Sequence, residues 1–192
     1  MNLTAFLLYC VVVTFTPGPT NIVILSAVQI SSIRQVMKYV WGATLAFGLL
    51  LAVSALLNRM LVVLLPGVLT VMQLVGSLYM LYLALQIYRM NAAAQNSSTS
   101  SFTAGLLMQF VNPKVILFTL TVIPSYVLPY YSSPFILTVF VIVITVIGFF
   151  AFMAWLLFGT LFRAFLQNHR RLANTVMALF MVYSAVMVSG IL

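Results

Sequence analysis

The chain has 192 residues, 65% of them hydrophobic, with eight Lys or Arg, one His and no Asp or Glu. Without a carboxylate it can build no acid–base dyad, no Asp-supported triad and no carboxylate metal cage. Charged residues make up 4% of the chain, against roughly a quarter in a soluble domain, so lipid is the expected outer solvent.

Other function classes fall with the composition. The pI is about 10.1, but the cations are scattered singly or in pairs and form no stripe for nucleic acid. One Cys and one His offer no disulfide, no metal set and no cofactor ligands, and an intramembrane enzyme would need a clustered nucleophile, base or metal. The expected fold is all-α and integral to the membrane, with lipid as its surround.

In chain order, the first apolar run covers residues 3–29. It lacks a basic n-region and exceeds signal-peptide length, so it reads as a retained span. Thr16-Pro17-Gly18-Pro19-Thr20-Asn21 interrupts it near the middle. Each proline removes a helical hydrogen bond and the glycine loosens the backbone. Irregular backbone at that depth is tolerated when buried in protein or facing a watery cavity. The first helix is therefore expected to be broken.

Further runs cover 39–57, 65–88, 102–128, 135–161 and 172–192. A span takes about 20 residues, so six of them use about 120 and leave only short loops. A small-polar stretch at 91–101 reads as a flexible loop at the chain's centre. One transmembrane domain is thus expected over 1–192, with a first half 1–90 and a second half 102–192. Gly42 and Ala46 form a small-xxx-small pair that speaks for helix contact; oligomeric state is left open, a homo-oligomer included.

Arg34, Lys38, Arg89, Lys114, Arg163, Arg170 and Arg171 fall in or beside the odd loops, and Arg59 alone in an even one. By the positive-inside rule the odd loops face the cytoplasm and both termini lie outside. His169, beside Arg170, reads as a solvated loop residue.

The fourth run is interrupted by Gln109-Phe110-Val111-Asn112-Pro113-Lys114. Asn is a favoured N-cap and Pro a favoured first helical residue, so Asn112-Pro113 reads as the start of a half-helix. Pro17 and Pro113 stand 96 positions apart, half the chain. Two three-span units in series are inverted relative to each other, and broken helices at matching places in such halves point to a transporter's binding site. The alternative for each break is a simple proline bend. Lys114 lies roughly 15 Å into the fourth span if that span begins near Phe102, a depth at which charge is costly and functional; if the span begins at Pro113, Lys114 snorkels at the cytoplasmic interface. In either case a half-helix N-terminus beside an ammonium is an anion site. A small carboxylate fits it. With no acid to hold a second ammonium, neutral amino acids are the expected substrates.

The two interruptions resemble the signature motifs of the LysE/RhtB amino-acid exporters, and Gly76-Ser77-Leu78-Tyr79-Met80-Leu81 is similar to that family's Gly-x-x-Tyr-Leu pattern. The resemblance covers the whole chain. It implies a bacterial inner-membrane secondary transporter that carries small neutral amino acids or their derivatives from cytoplasm to outside, driven by the proton gradient. It puts Thr16, Pro17, Gly18, Pro19, Asn21, Gln109, Asn112, Pro113 and Lys114 around the substrate path. Two departures stand out: Thr20 precedes Asn21 where many relatives follow the motif directly with Asn or Gln, and residues 148–151 lack the acid some relatives carry in the fifth span. A desolvated lysine can titrate near neutrality, which makes Lys114 the candidate coupling group. A passive channel and a structural membrane protein remain the rival readings.

Overall fold

A computed structural model describes residues 1–56, 74–89 and 101–189. Among them the structure is helical without strands. The helices are α1 (Leu3–Phe15), α2 (Pro19–Ile30), α3 (Ile33–Leu56), α4 (Leu74–Tyr88), α5 (Phe102–Val111), α6 (Pro113–Val122), α7 (Pro134–Leu161), α8 (Arg163–Asn168) and α9 (Arg170–Ser189). A π-helical turn, Ile123–Val127, prolongs α6; Pro124 supplies no amide there, and Leu128 N donates to the Ile123 carbonyl five residues back at 3.0 Å.

Two helices, α3 and α7, are long and apolar enough to cross a membrane on their own. Two bent pairs pass the same test together: α1 with α2, bent by 46°, and α5 with α6 and its π-turn, bent by 67°. The expected breaks in the first and fourth runs are thus present. The start of the third expected span, Arg59 and nearly all of the expected 91–101 loop lie outside the described residues.

One expectation is corrected at α3. Arg34 and Lys38 sit on the helix and not in a loop, because the helix begins at Ile33. The cause is a capping box: Gln35 Oε1 accepts from Ser32 N at 3.2 Å, and Ser32 Oγ accepts from Gln35 N at 3.4 Å. Arg163 begins α8, and Arg170 and Arg171 begin α9. Elsewhere Asn2 caps α1 and Ser101 caps α5, each side chain accepting an amide at 3.1 Å.

Large apolar side chains face outward along the helices, as in Leu56, Phe135, Leu161 and Tyr183, which fits lipid as solvent. Inside, the apolar core is in two parts. One joins Ile22–Val28 of α2, the first half of α3, α4, the second half of α7 and the buried face of α9. The other joins Phe6 and Cys10 of α1, Phe47 and Leu51 of α3, the α6 region and Ile144 of α7. Both helix breaks lie between these two parts.

Glycines set the closest approaches. A Cβ on Gly42 would sit 2.0 Å from the Phe102 carbonyl oxygen, and one on Gly105 would sit 2.1 Å from the Tyr39 carbonyl oxygen. The small residue at 42 therefore serves contact between α3 and α5 within one chain.

Candidate transport site

The first break follows from its prolines. A residue before proline is pushed out of the α region, and Thr16 has φ −59° and ψ 140°, ending α1 at Phe15. Pro19 restarts the chain as the first residue of α2. Gly18 between them is extended, at φ −162° and ψ 175°, a conformation open to any residue. Its small size matters for another reason: a Cβ there would lie 2.9 Å from Lys114 Cδ and 3.1 Å from Lys114 Nζ.

The second break is a single residue. Asn112 precedes Pro113, adopts φ −87° and ψ 102°, and its Oδ1 accepts from Lys114 N at 3.2 Å. That side chain caps α6 as its residue type dictates. Pro113 packs on α4, where a Cβ at Gly76 would meet its Cδ at 2.8 Å. The third apolar motif therefore supplies a glycine against the second break.

The two breaks meet. Lys114 Nζ donates to the Thr16 carbonyl at 2.7 Å and stands 3.5 Å from the Pro17 carbonyl. Thr20 is the hub of a buried polar group. Its Oγ1 accepts from Gln109 Nε2 and Asn112 Nδ2, both at 3.0 Å, and its hydroxyl donates to Gln109 Oε1 at 3.3 Å. One donor and two acceptor sites are all that a hydroxyl offers, so Thr20 is saturated. Gln109, Asn112 and Thr20 are at most 3% exposed.

The C-terminal end of α1 presents carbonyls that the helix itself leaves unpaired. Asn21 Nδ2 donates to those of Thr14 and Thr16 at 3.1 and 3.0 Å, and Trp155 Nε1 to that of Phe15 at 3.1 Å. Two carbonyl partners fix the orientation of the Asn21 amide, since a flipped amide would aim oxygen at oxygen. Its Oδ1 is buried without a hydrogen bond.

Between the breaks lies a cavity of about 30 Å³, measured as the space open to the centre of a water molecule. Thr14, Gly18, Thr20, Asn21, Asn112 and Lys114 form its polar side, and Phe47, Phe118 and Phe152 its apolar side. That volume holds about two waters. An amino acid enters only if the walls move.

Of the residues singled out from the sequence, Gly18, Asn21, Asn112 and Lys114 line this cavity, while Gln109 supports it through Thr20. Pro19 and Pro113 are buried beside it and act by shaping the backbone. Thr16 contributes its carbonyl; its hydroxyl turns back to the Val12 carbonyl at 2.5 Å. Pro17 is exposed and also offers only its carbonyl. Thr20, read from the sequence as a departure from the family pattern, is the residue that ties the breaks together. No local signal marks it, since α2 also carries the polar residues Asn21, Ser26 and Gln29. The three phenylalanines carried none, because nothing separates them locally from the other aromatics.

Among the described residues no group of three or more His or Cys could hold a metal ion. The half-helix ends differ in charge presentation. Asn112 occupies an amide at the start of α6, whereas α2 has no side-chain cap. Lys114 faces the carbonyl end of α1, the negative pole of that half-helix.

A family model described as "LysE type translocator" matches residues 11–189. The chain is 33% identical over 188 residues to the "Cysteine/O-acetylserine efflux protein" of Salmonella typhimurium, covering 97% of this chain and 96% of the relative. It is 32% identical over 188 residues to the protein of the same description from Salmonella typhi, with the same coverage. The counterpart from Escherichia coli O1:K1 is 31% identical over 186 residues, covering 96% of this chain and 95% of the relative. No solved structure matches the chain.

Proposed function

Because the chain belongs to the LysE family of translocators, and is therefore a transporter and not an enzyme, we propose that it exports small neutral amino acids or derivatives resembling cysteine and O-acetylserine. In this reading it is a multi-pass protein of the bacterial inner membrane. Six spans form two inverted halves, both termini lie outside, and the proton gradient drives efflux from the cytoplasm.

The observation that carries the proposal is the meeting of the two breaks. Residues 98 positions apart join at one hydrogen bond from Lys114 to Thr16, and residues 89 to 92 apart join through Thr20. A proline bend needs no such convergence. The carbonyl end of α1, the uncapped start of α2, an ammonium and an unpaired amide oxygen surround one cavity. These groups suit a molecule with one positive and one negative end, and no side-chain carboxylate is present to hold a second cation.

Vesicles loaded with a panel of amino acids test the proposal by efflux with and without a pH gradient. Saturable, gradient-dependent efflux of neutral amino acids is expected; conduction without saturation points to a channel. Lys114→Arg then tests the coupling group. Arginine does not deprotonate in proteins, so the variant is expected to lose gradient-driven efflux and retain downhill exchange. Full retention of gradient-driven efflux removes Lys114 from coupling.

A further inference from the structure

Lys114 makes a contact that the fold does not require. The carbonyls of Thr14, Phe15 and Thr16 already have donors in Asn21 and Trp155. Lys114 adds a second donor at Thr16 and approaches Pro17. To do so it lays its stem across Gly18, where a Cβ would crowd its Cδ at 2.9 Å. The chain contains no acidic side chain, and among the described residues the carbonyls at the negative end of α1 are what answers this ammonium.

We propose that Lys114 is a built-in stand-in for the substrate's ammonium group. As the structure stands, Nζ donates to the Thr16 carbonyl and approaches that of Pro17. An incoming amino acid places its own ammonium on those carbonyls and on the unpaired Asn21 Oδ1, and the displaced Nζ turns to the substrate carboxylate. The substrate class rests on the export reading above, but the exchange of partners rests on the geometry.

Charge decides the specificity that follows. A zwitterion brings no net charge and supplies the counter-ion that Lys114 lacks. An amine without a carboxylate would take the carbonyls and leave Nζ unpaired beside a second cation, two like charges with no acidic side chain to offset them. The wild-type site therefore rejects simple amines by means of its own lysine. The small cavity fits the same account, because the Lys114 side chain fills space that the substrate takes up after displacement.

The test uses the full-length protein in lipid nanodiscs, with reduced cysteine and its decarboxylated analogue cysteamine as probes in a binding titration. Wild type is expected to bind cysteine and to bind cysteamine at least about tenfold more weakly. Lys114→Met vacates the carbonyls without leaving a charge. It is expected to lose about tenfold or more in cysteine affinity and to gain about tenfold in cysteamine affinity, the scale of one charge-assisted hydrogen bond. Lys114→Gln checks the direction with a second neutral side chain.

A gain for the amine is the reading that mere anchoring of a carboxylate, or a purely structural lysine, does not produce. Equal affinity of wild type for the two probes overturns the proposal whatever the variants do. So does cysteamine affinity that stays level or falls in the folded variants, or the absence of binding by either probe. If the amine gain appears while vesicles show no cysteine export, the export reading fails and this one stands.

Discussion

Both helix breaks are built on proline but leave opposite surfaces. The first spends three residues outside helical geometry, bends the chain by 46° and starts its second half-helix from Gly18, which has no side chain to cap with. The second spends one residue, bends the chain by 67° and is capped at once by Asn112. The first therefore offers bare backbone: carbonyls at the end of α1 and an uncapped start of α2. The second offers side chains that reach across: Lys114 to the Thr16 carbonyl, and Gln109 and Asn112 to the Thr20 hydroxyl at the start of α2. A matched pair of proline motifs in two half-chains thus makes a complementary pair and not two copies of one site.

That division of labour orders the effects of substitutions at the two breaks. Thr20→Val is expected to cost most. It leaves the buried amides of Gln109 and Asn112 without their partner, and each unpaired buried group costs about 1–3 kcal/mol. Loss of efflux and a clearly lower unfolding temperature in detergent are expected. Adding Gln109→Leu to it should cost much less than the sum of the singles, since removing both partners of a buried hydrogen bond is far milder than removing one. Additive costs would break the account of Thr20 as the hub.

Asn112→Ala comes next. It removes the α6 cap, about 1 kcal/mol, and a bond to Thr20 worth about 1 kcal/mol. Unfolding with stability lowered by about 2 kcal/mol is expected, with efflux reduced. Thr16→Ala is the smallest. Only the Thr16 carbonyl serves the site, and its hydroxyl bonds its own helix, so stability should change by about 0.5 kcal/mol or less with efflux near wild type. A large loss of efflux would give that hydroxyl a role the present geometry denies it.

The same contrast separates what could be read from the sequence. Pro17, Pro19 and Pro113 act on the backbone beside them, so both breaks were legible without tertiary information. The capping box at Ser32–Gln35 is equally local, yet the apolar run begins only at residue 39, six residues after α3 does, because Arg34 and Lys38 interrupt the hydrophobic pattern in its first turns. Thr20 was not legible as a hub. Its partners lie 89 and 92 residues away, and no local pattern reports a contact of that range. Nor was the role of Gly42, whose place against the Phe102 backbone appears only when α3 and α5 pack.

Composition and punctuation alone determined an all-α membrane chain, with no acid to catalyse or to bind metal, and two interrupted helices. Those follow from solvation and backbone sterics, which act residue by residue. Only the tertiary structure decided that Lys114 faces the carbonyl end of α1, that Asn112 fills its own helix start, and that one small cavity lies between two apolar cores. The reason is reach: a four-carbon stem can satisfy its charge on any nearby carbonyl, and which carbonyl is nearby is settled by how the half-helices pack.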